Sequence, residues 1–394
     1  MLEGRRIVVG VTGSIAAYKA ADLVSKLAQA GAEVDVILTE SAQRFVTPLT
    51  FHSLTGREVY TDIFEVKAEL QISHVELSRR ADAVVIAPAS ATTIARIAHG
   101  LADNLLSLTV LATKAPVLLA PAMDSQMYEN PATQANLVLL KERGMTIVGP
   151  EEGRLATGRM GRGRLVDTET LLGAIRQVLG RSGDLAGRRV VVSAGGTQEP
   201  IDPVRYVSNY SSGKMGYAVA EAARDRGAQV VIVSAPVSLP APYGVEIVSV
   251  RTAEEMRDAV VRECAGADVL VMAAAVADYR PASAAEQKIK RTKEGLSLSL
   301  VRTPDILAEV KGPLRVGFAA ESEKLEENAA DKLRRKGLDL IVANDITAPG
   351  SGFGSETNQV TIIDKSGKVE ELPLLTKYEV AHRIFDRVAP LLKR

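Results

Sequence analysis

The chain has 394 residues, 46% of them hydrophobic, a length for two or three domains with ordinary globular cores. Lys and Arg total 48 and Asp and Glu total 48, so the formal net charge is zero. That balance excludes a global field that recruits nucleic acid or an anionic membrane, and any anion site must be local. One cysteine, Cys264, excludes an intrachain disulfide or a cysteine metal cluster, and its setting reads as buried and apolar. Aromatics are 4% with no tryptophan, too few for a nucleic-acid stacking platform. No apolar run reaches the roughly 18 residues of a membrane span. The opening Met-Leu-Glu-Gly-Arg-Arg leads straight into a strand without a signal-peptide core, so a cytoplasmic setting is expected.

In chain order, Arg6–Val11 reads as a buried strand and Thr12-Gly13-Ser14 as a tight turn. A helix then runs to about Ala30, on the spacing of Ala20, Leu23, Val24 and Leu27, with Gly31 beyond its end. Val34–Leu38, Ala83–Ala87, Val117–Ala120 and Thr146–Val148 follow as buried strands. Gly180, Ser182, Gly183 and Gly187 cluster between Leu179 and Arg188 and mark a boundary. The same order then repeats: strand Arg189–Val192, a long turn, a helix through Arg226 ended by Gly227, and strand Val230–Val233. Val269–Ala273, Val316–Phe318 and Leu340–Val342 are further strands. Gln359–Asp364 and Val369–Leu372 flank a turn at 365–368 and predict a hairpin, and a last helix starts at about Lys377. Apolar strands alternating with helices predict α/β sheets covered on both faces.

Residues 193–216 carry the most chemistry. A strand enters the turn Gly195-Gly196-Thr197, and a helix leaves from Ser211-Ser212-Gly213-Lys214. Hydroxyls, free backbone N–H groups and one cation at a helix N-terminus suit a phosphate. A plain dinucleotide turn takes about six residues. The insertion here holds Glu199, Asp202, Arg205 and Asn209, groups that suggest chemistry as well as binding.

This segment, with Val271–Pro281, Lys288–Arg291, Thr303–Leu307, Val316–Glu321 and Val342–Asp345 in the same order, resembles the phosphopantothenate–cysteine ligase domain of coenzyme A biosynthesis. The resemblance implies activation of 4′-phosphopantothenate by CTP as an acyl-cytidylate, from which cysteine displaces CMP. It implies that Asp278, Lys288, Pro304, Asp305, Ile306, Leu307, Phe318, Lys332 and Lys336 bind CTP. Asn209 would attend the acyl-cytidylate, Lys288 would be the most sensitive cation, and Mg²⁺ would arrive on the CTP phosphates. Alone, Lys332 and Lys336 are an i, i+4 pair on a charged helix and would read as a solvated face.

Residues 5–170 resemble the flavin-dependent phosphopantothenoylcysteine decarboxylases. The motifs are Gly10–Lys19, Ala87–Ala95, Gly100–Leu106 and Ile72-Ser73-His74-Val75-Glu76-Leu77. The resemblance implies FMN held by Gly13, Ser14, Ile15, Thr39, Ser41, Phe45, Ala87, Pro88 and Ser90. Substrate would contact Ala122, Met123 and Asp124, and His74 would be the catalytic histidine, with a pKa suited to proton transfer near neutrality. His52, His99 and His382 match no motif.

Two positions depart from the family pattern. Asp124 stands where an asparagine is usual, and Thr157 stands where a mobile loop normally carries the cysteine that protonates the product enethiolate. A threonine hydroxyl is a far weaker acid than a thiol of pKa about 8.5. The expectation is two Rossmann-like three-layer α/β domains, 1–184 for decarboxylation and 185–394 for ligation. Thr157, or a water it positions, would supply the proton. Thr157 also leaves open a ligase-only enzyme whose first half is an inactive, half-reaction or regulatory flavoprotein. The resemblance further implies a homo-oligomer of trimeric flavin domains and dimeric ligase domains, which closes as a dodecamer.

Overall fold

The computed structural model describes residues 1–64, 73–291, 296–321, 325–345, 352 and 354–392. Of the motif residues above, Ile72 lies outside them. The chain divides into two compact units, Met1–Leu179 and Gly180–Arg394.

The first unit runs β1 (Arg6–Val11), α1 (Ala17–Gln29), β2 (Glu33–Leu38), α2 (Pro48–Thr55), β3 (Val59–Tyr60), α3 (Ser73–Arg80), β4 (Ala83–Ala89), α4 (Ala91–His99), α5 (Leu105–Ala112), β5 (Val117–Pro121), α6 (Ser125–Glu129), α7 (Pro131–Glu142), β6 (Thr146–Ile147), β7 (Glu151–Arg154), β8 (Met160–Arg164) and α8 (Thr168–Gly180). Six parallel strands form one sheet in the order β3-β2-β1-β4-β5-β6. Every residue of β4 is buried, as expected of a central parallel strand with both faces covered. Strands β7 and β8 pair antiparallel as a separate hairpin.

The second unit continues with β9 (Arg189–Ala194), β10 (Gln198–Pro200), β11 (Tyr206–Ser208), α9 (Lys214–Asp225), β12 (Gln229–Ser234), β13 (Glu246–Ser249), α10 (Ala253–Glu263), β14 (Val269–Met272), β15 (Tyr279–Pro281), β16 (Leu300–Arg302), α11 (Ile306–Glu309), β17 (Leu314–Glu321), α12 (Leu325–Lys336), β18 (Leu340–Asp345), β19 (Thr357–Asn358), β20 (Val360–Asp364), β21 (Val369–Glu371), β22 (Leu375–Thr376) and α13 (Lys377–Leu392). Its eight-stranded sheet has the order β13-β12-β9-β14-β17-β18-β20-β21, parallel except for the β20–β21 hairpin at one edge. Alternation along β9 separates two cores. Val190 and Val192 pack with residues of α9 and α13, whereas Val191 packs with Met256 and Val260 of α10 and Leu333 of α12. Cys264 lies in this second core, where burial pushes its thiol up to about 12.

Candidate active sites

In the first unit the chain winds outward from β1 in one direction and from β4 in the other. The loops after these strands therefore part, and a crevice opens at their carboxyl ends. The buried Thr12 ties the two loops: its hydroxyl donates to the Pro88 carbonyl at 2.7 Å and accepts the Ser90 amide at 2.9 Å. Ala87 is buried in β4 beneath this link, and Ser90 caps α4 by accepting the Thr93 amide at 3.4 Å. The Ser14 hydroxyl accepts the Ala16 amide at 3.3 Å and donates to the Ala122 carbonyl at 3.4 Å. Helix α1, which starts here, has no acidic residue in its first turn, so its positive end is left for an anion. Thr39 closes β2, its hydroxyl accepting the Ala42 amide at 3.3 Å. Ser41 presses on the β1 loop so closely that a Cβ on Gly13 would lie 2.4 Å from its own Cβ. Ile15 and Phe45 are exposed beside it.

A cavity of about 600 Å³ opens in the crevice, lined by Gly13, Ser14, Ile15, Ser90, Ala122, Met123, Asp124 and Thr157 among others. The loop that carries Thr157 is the exposed tip of the β7–β8 hairpin. The hairpin is fixed over the 121–124 turn. The Met123 amide donates to the Gly163 carbonyl at 3.0 Å, and Arg162 lies over the Tyr128 ring at 5.4 Å. Asp124 caps α6, its carboxylate accepting the Gln126 amide at 3.0 Å. Lys19, Arg154 and Arg164 also line the cavity. Burial and the nearby Arg164 cation hold the Lys19 ammonium below its usual range. Sequence reasoning gave Thr12 and these three cations no role. Arg154, Arg162 and Arg164 alternate along the hairpin, and that spacing was the available signal.

His74 does not line the cavity. It sits on α3, partly buried, and its Nδ1 is buried with no hydrogen-bond partner among the described residues.

The second unit has the equivalent crevice between β9 and β14. The Ala275 amide donates to the Gly195 carbonyl at 2.9 Å, and the Thr197 hydroxyl accepts the Ala277 amide at 2.9 Å. Asn209 reaches across, its side-chain amide donating to the Ala275 and Val276 carbonyls at 3.2 and 3.5 Å. The next loops join by Thr303, whose amide donates to the Asp278 carbonyl at 3.1 Å and whose hydroxyl donates to the Ala277 carbonyl at 2.6 Å. Pro304 and Asp305 then lead into α11 with Ile306 and Leu307 buried. Helix α12 aims both its lysines here: Lys332 donates to the Phe318 carbonyl at 2.7 Å, and Lys336 pairs with Asp305. Both lysines thus meet oxygens of neighbouring elements, β17 and the segment before α11, where their spacing alone suggests a solvated face.

The insertion builds a separate bracket. The Asp202 carboxylate accepts the Val204 and Arg205 amides, each at 2.8 Å, and the Arg205 Nε at 2.9 Å. The Arg205 guanidinium holds this carboxyl far below the usual carboxylate range. Both partners also grip Ile289, the residue after the exposed Lys288. Lys214, the cation of the phosphate turn, stands at the start of α9, where it donates to the Gly354 carbonyl at 2.8 Å and pairs with Glu356. Gly213 before it has φ +77°, a left-handed conformation suited to glycine at the helix start. No group of three or more His, Cys, Asp or Glu able to hold a metal occurs among the described residues. No helix there is long and apolar enough to cross a membrane.

The two crevices define a protein of two α/β units, each with a ligand crevice at its strand ends. Residues 1–180 match the profile of the Flavoprotein family, and residues 185–391 match that of the DNA/pantothenate metabolism flavoprotein C-terminal domain. The coenzyme A biosynthesis bifunctional protein CoaBC of Bacillus subtilis is 46% identical over 401 aligned positions, covering 100% of this chain and 99% of that relative. The protein of that name from Escherichia coli K12 is 44% identical, covering 98% of this chain and 97% of the relative. Among solved structures, a CoaBC C-terminal domain is 42% identical and covers 54% of this chain and 99% of its own, with a TM-score of 0.47. The FMN-binding protein AtHal3 is 34% identical and covers 44% and 96%, with a TM-score of 0.40. The chain belongs to the CoaBC family of bifunctional coenzyme A biosynthesis proteins. It is a bifunctional enzyme with ligase and decarboxylase domains, and membership in this family does not favour a ligase-only reading.

Proposed function

We propose that the ligase unit, residues 185–394, joins 4′-phosphopantothenate to cysteine at the expense of CTP, through an acyl-cytidylate. The supporting observation is the convergence of Asp278, Pro304–Leu307, Phe318, Lys332 and Lys336 on one crevice that also receives Asn209. A carboxylate becomes electrophilic only when its oxygen carries a good leaving group, and that step needs cations round the triphosphate. Lys332 and Lys336 would exchange their present oxygen partners for phosphate oxygens, and Lys288 would add a third cation. Asn209 would turn its amide from the 275–276 carbonyls to the activated carbonyl. Mg²⁺ would enter bound to the CTP phosphates.

The unit spanning 1–184 would then decarboxylate phosphopantothenoylcysteine to 4′-phosphopantetheine. The hydroxyls of Ser14, Thr39, Ser41 and Ser90 and the positive end of α1 fit the phosphate of FMN, which supplies a two-electron oxidation and its reversal. Ala87, Pro88, Ile15 and Phe45 would supply the apolar surface that holds the rest of the cofactor. Ala122, Met123 and Asp124 would orient the substrate carboxylate, and Thr157 or a water it holds would return the final proton. His74 would complete the cavity of a neighbouring subunit, which fits its position away from the cavity of its own chain. The resemblance gives that arrangement as a trimer of flavin units; paired ligase units would then close a dodecamer. The setting would be cytoplasmic. A coupled assay with phosphopantothenate, cysteine, CTP and Mg²⁺, followed by product mass, tests both steps. Accumulation of phosphopantothenoylcysteine would remove the second, and no CTP consumption would remove the first.

A further inference from the structure

We propose that Asp202 is a positioning residue for Lys288, setting the cation by gripping the backbone of the residue after it; this rests on the CTP-dependent reading above. Asp202 is only 4% exposed and bears an ionised carboxylate, so its neighbours must satisfy it. One oxygen, Oδ1, closes the local turn by accepting the Val204 and Arg205 amides at 2.8 Å each. The other, Oδ2, accepts the Arg205 Nε at 2.9 Å and the Ile289 amide at 3.1 Å. Arg205 completes the grip, its guanidinium donating to the Ile289 carbonyl at 2.8 Å. Both backbone polar groups of Ile289 are thus held by one ion pair from a segment more than eighty positions earlier.

The same segment leads through β11 to Asn209, the residue just beyond that strand, so one insertion both holds the backbone next to Lys288 and carries the residue assigned to the activated carboxylate. Of the bracket's contacts, the Ala285 amide to the Ile201 carbonyl at 2.9 Å is the one that pins the start of the Lys288 segment. A flexible lysine side chain loses its aim when its backbone drifts, and charge-assisted bonds are the stronger kind for preventing that drift. Asp202 touches no reacting atom in this scheme; it acts through Ile289.

Asp202→Asn in the full chain separates the two oxygens. The amide oxygen can keep the turn, while the NH₂ group faces the Ile289 and Arg205 donors. The expected result is a fall in kcat/KM for CTP of about ten- to hundredfold, as expected when a binding group is misplaced by about an ångström. Tryptic cleavage after Lys288 should speed up, with the decarboxylation of supplied phosphopantothenoylcysteine unchanged. Ile289→Pro, which deletes the gripped N–H but leaves the ion pair, should reproduce the loss, and Ile289→Val should not. Wild-type rates of cleavage and of CTP turnover in Asp202→Asn overturn the proposal, as does an equal loss in Ile289→Val. Wild-type protein that consumes no CTP would overturn the underlying reading instead, leaving the cleavage result to judge the bracket.

Discussion

The first crevice presents hydroxyls and backbone N–H groups at its phosphate turn, with the cations Lys19, Arg154 and Arg164 elsewhere on its lining; the second presents lysines already engaged with the protein's own oxygens. At Gly13 and Ser14 the donors are backbone N–H groups and hydroxyls locked by Thr12, and a cavity of about 600 Å³ stands ready. At the β9–β14 crevice, Lys332 and Lys336 are engaged with Phe318 and Asp305, and the insertion is closed by Asp202 and Arg205. A prebuilt cradle of hydroxyls and N–H groups would suit a group that stays bound through turnover. Lysines held by exchangeable internal partners would suit a triphosphate that must arrive, react and leave, because the outgoing charge is replaced by an internal oxygen.

The sharpest way to break this contrast is to damage one crevice and read both. Asn209→Ala should cut amide formation by about 10²–10³, the usual loss on removing one preorganised donor. Decarboxylation of supplied phosphopantothenoylcysteine should be unchanged; a shared loss would mean the units do not work separately. Gly13→Val should act in the opposite sense. Its Cβ would meet Ser41 at 2.4 Å, and overpacking of this kind typically costs about 1–3 kcal/mol. The purified variant should lose its flavin absorbance and decarboxylation while still forming phosphopantothenoylcysteine from CTP.

Much of this was readable before any coordinates. The central strands are apolar runs punctuated by glycine, so β1, β4, β9 and β14 stand where their composition places them. The hairpin of β20 and β21 follows from its Lys-Ser-Gly-Lys turn. Pairings across long separations were not readable. Nothing local to Thr12 predicts that it bridges Pro88 and Ser90, and nothing local to Lys332 says which carbonyl it will meet. Lys214 shows the same limit from the other side. Its place at a helix start suggests a phosphate partner, and nothing local to it tells that Glu356, 142 positions later, also pairs with it. Contacts of this kind depend on the fold as a whole and leave no period in the sequence.

A smaller effect is expected at the hairpin tip. Thr157→Cys places a thiol, with pKa about 8.5, where a hydroxyl now lines the cavity. If proton return limits the last step, the variant should raise its rate about tenfold, below the roughly 10²–10⁴ of a full general acid because the hydroxyl or its water already serves. Single-turnover mass analysis would show less oxidised enethiol. An unchanged ratio of enethiol to 4′-phosphopantetheine would place the proton donor elsewhere and weaken the account of the first crevice.

The smallest effect concerns Lys377, which marks the cost of holding a cation away from water. Its ammonium is buried at the start of α13, donating to the Thr357 carbonyl at 3.1 Å and to Asn358 Oδ1 at 3.2 Å. Burial, with the nearby Lys214 adding to it and Glu356 opposing it, lowers its pKa from 10.5 to about 8. The sign follows from proton linkage. Between these two values the unfolded chain holds the proton and the folded chain does not, so this group makes the ligase unit more stable as pH rises from about 8 to 10.5. The full amplitude is at most about 3 kcal/mol. Lys377→Met removes the proton-binding site, so chemical denaturation at pH 8 and pH 10 should show the wild type gaining stability relative to the variant across that interval. A difference that stays constant would mean that the carbonyl partners hold the ammonium as firmly as water does, and buried cations in this unit would then carry no pH-dependent penalty.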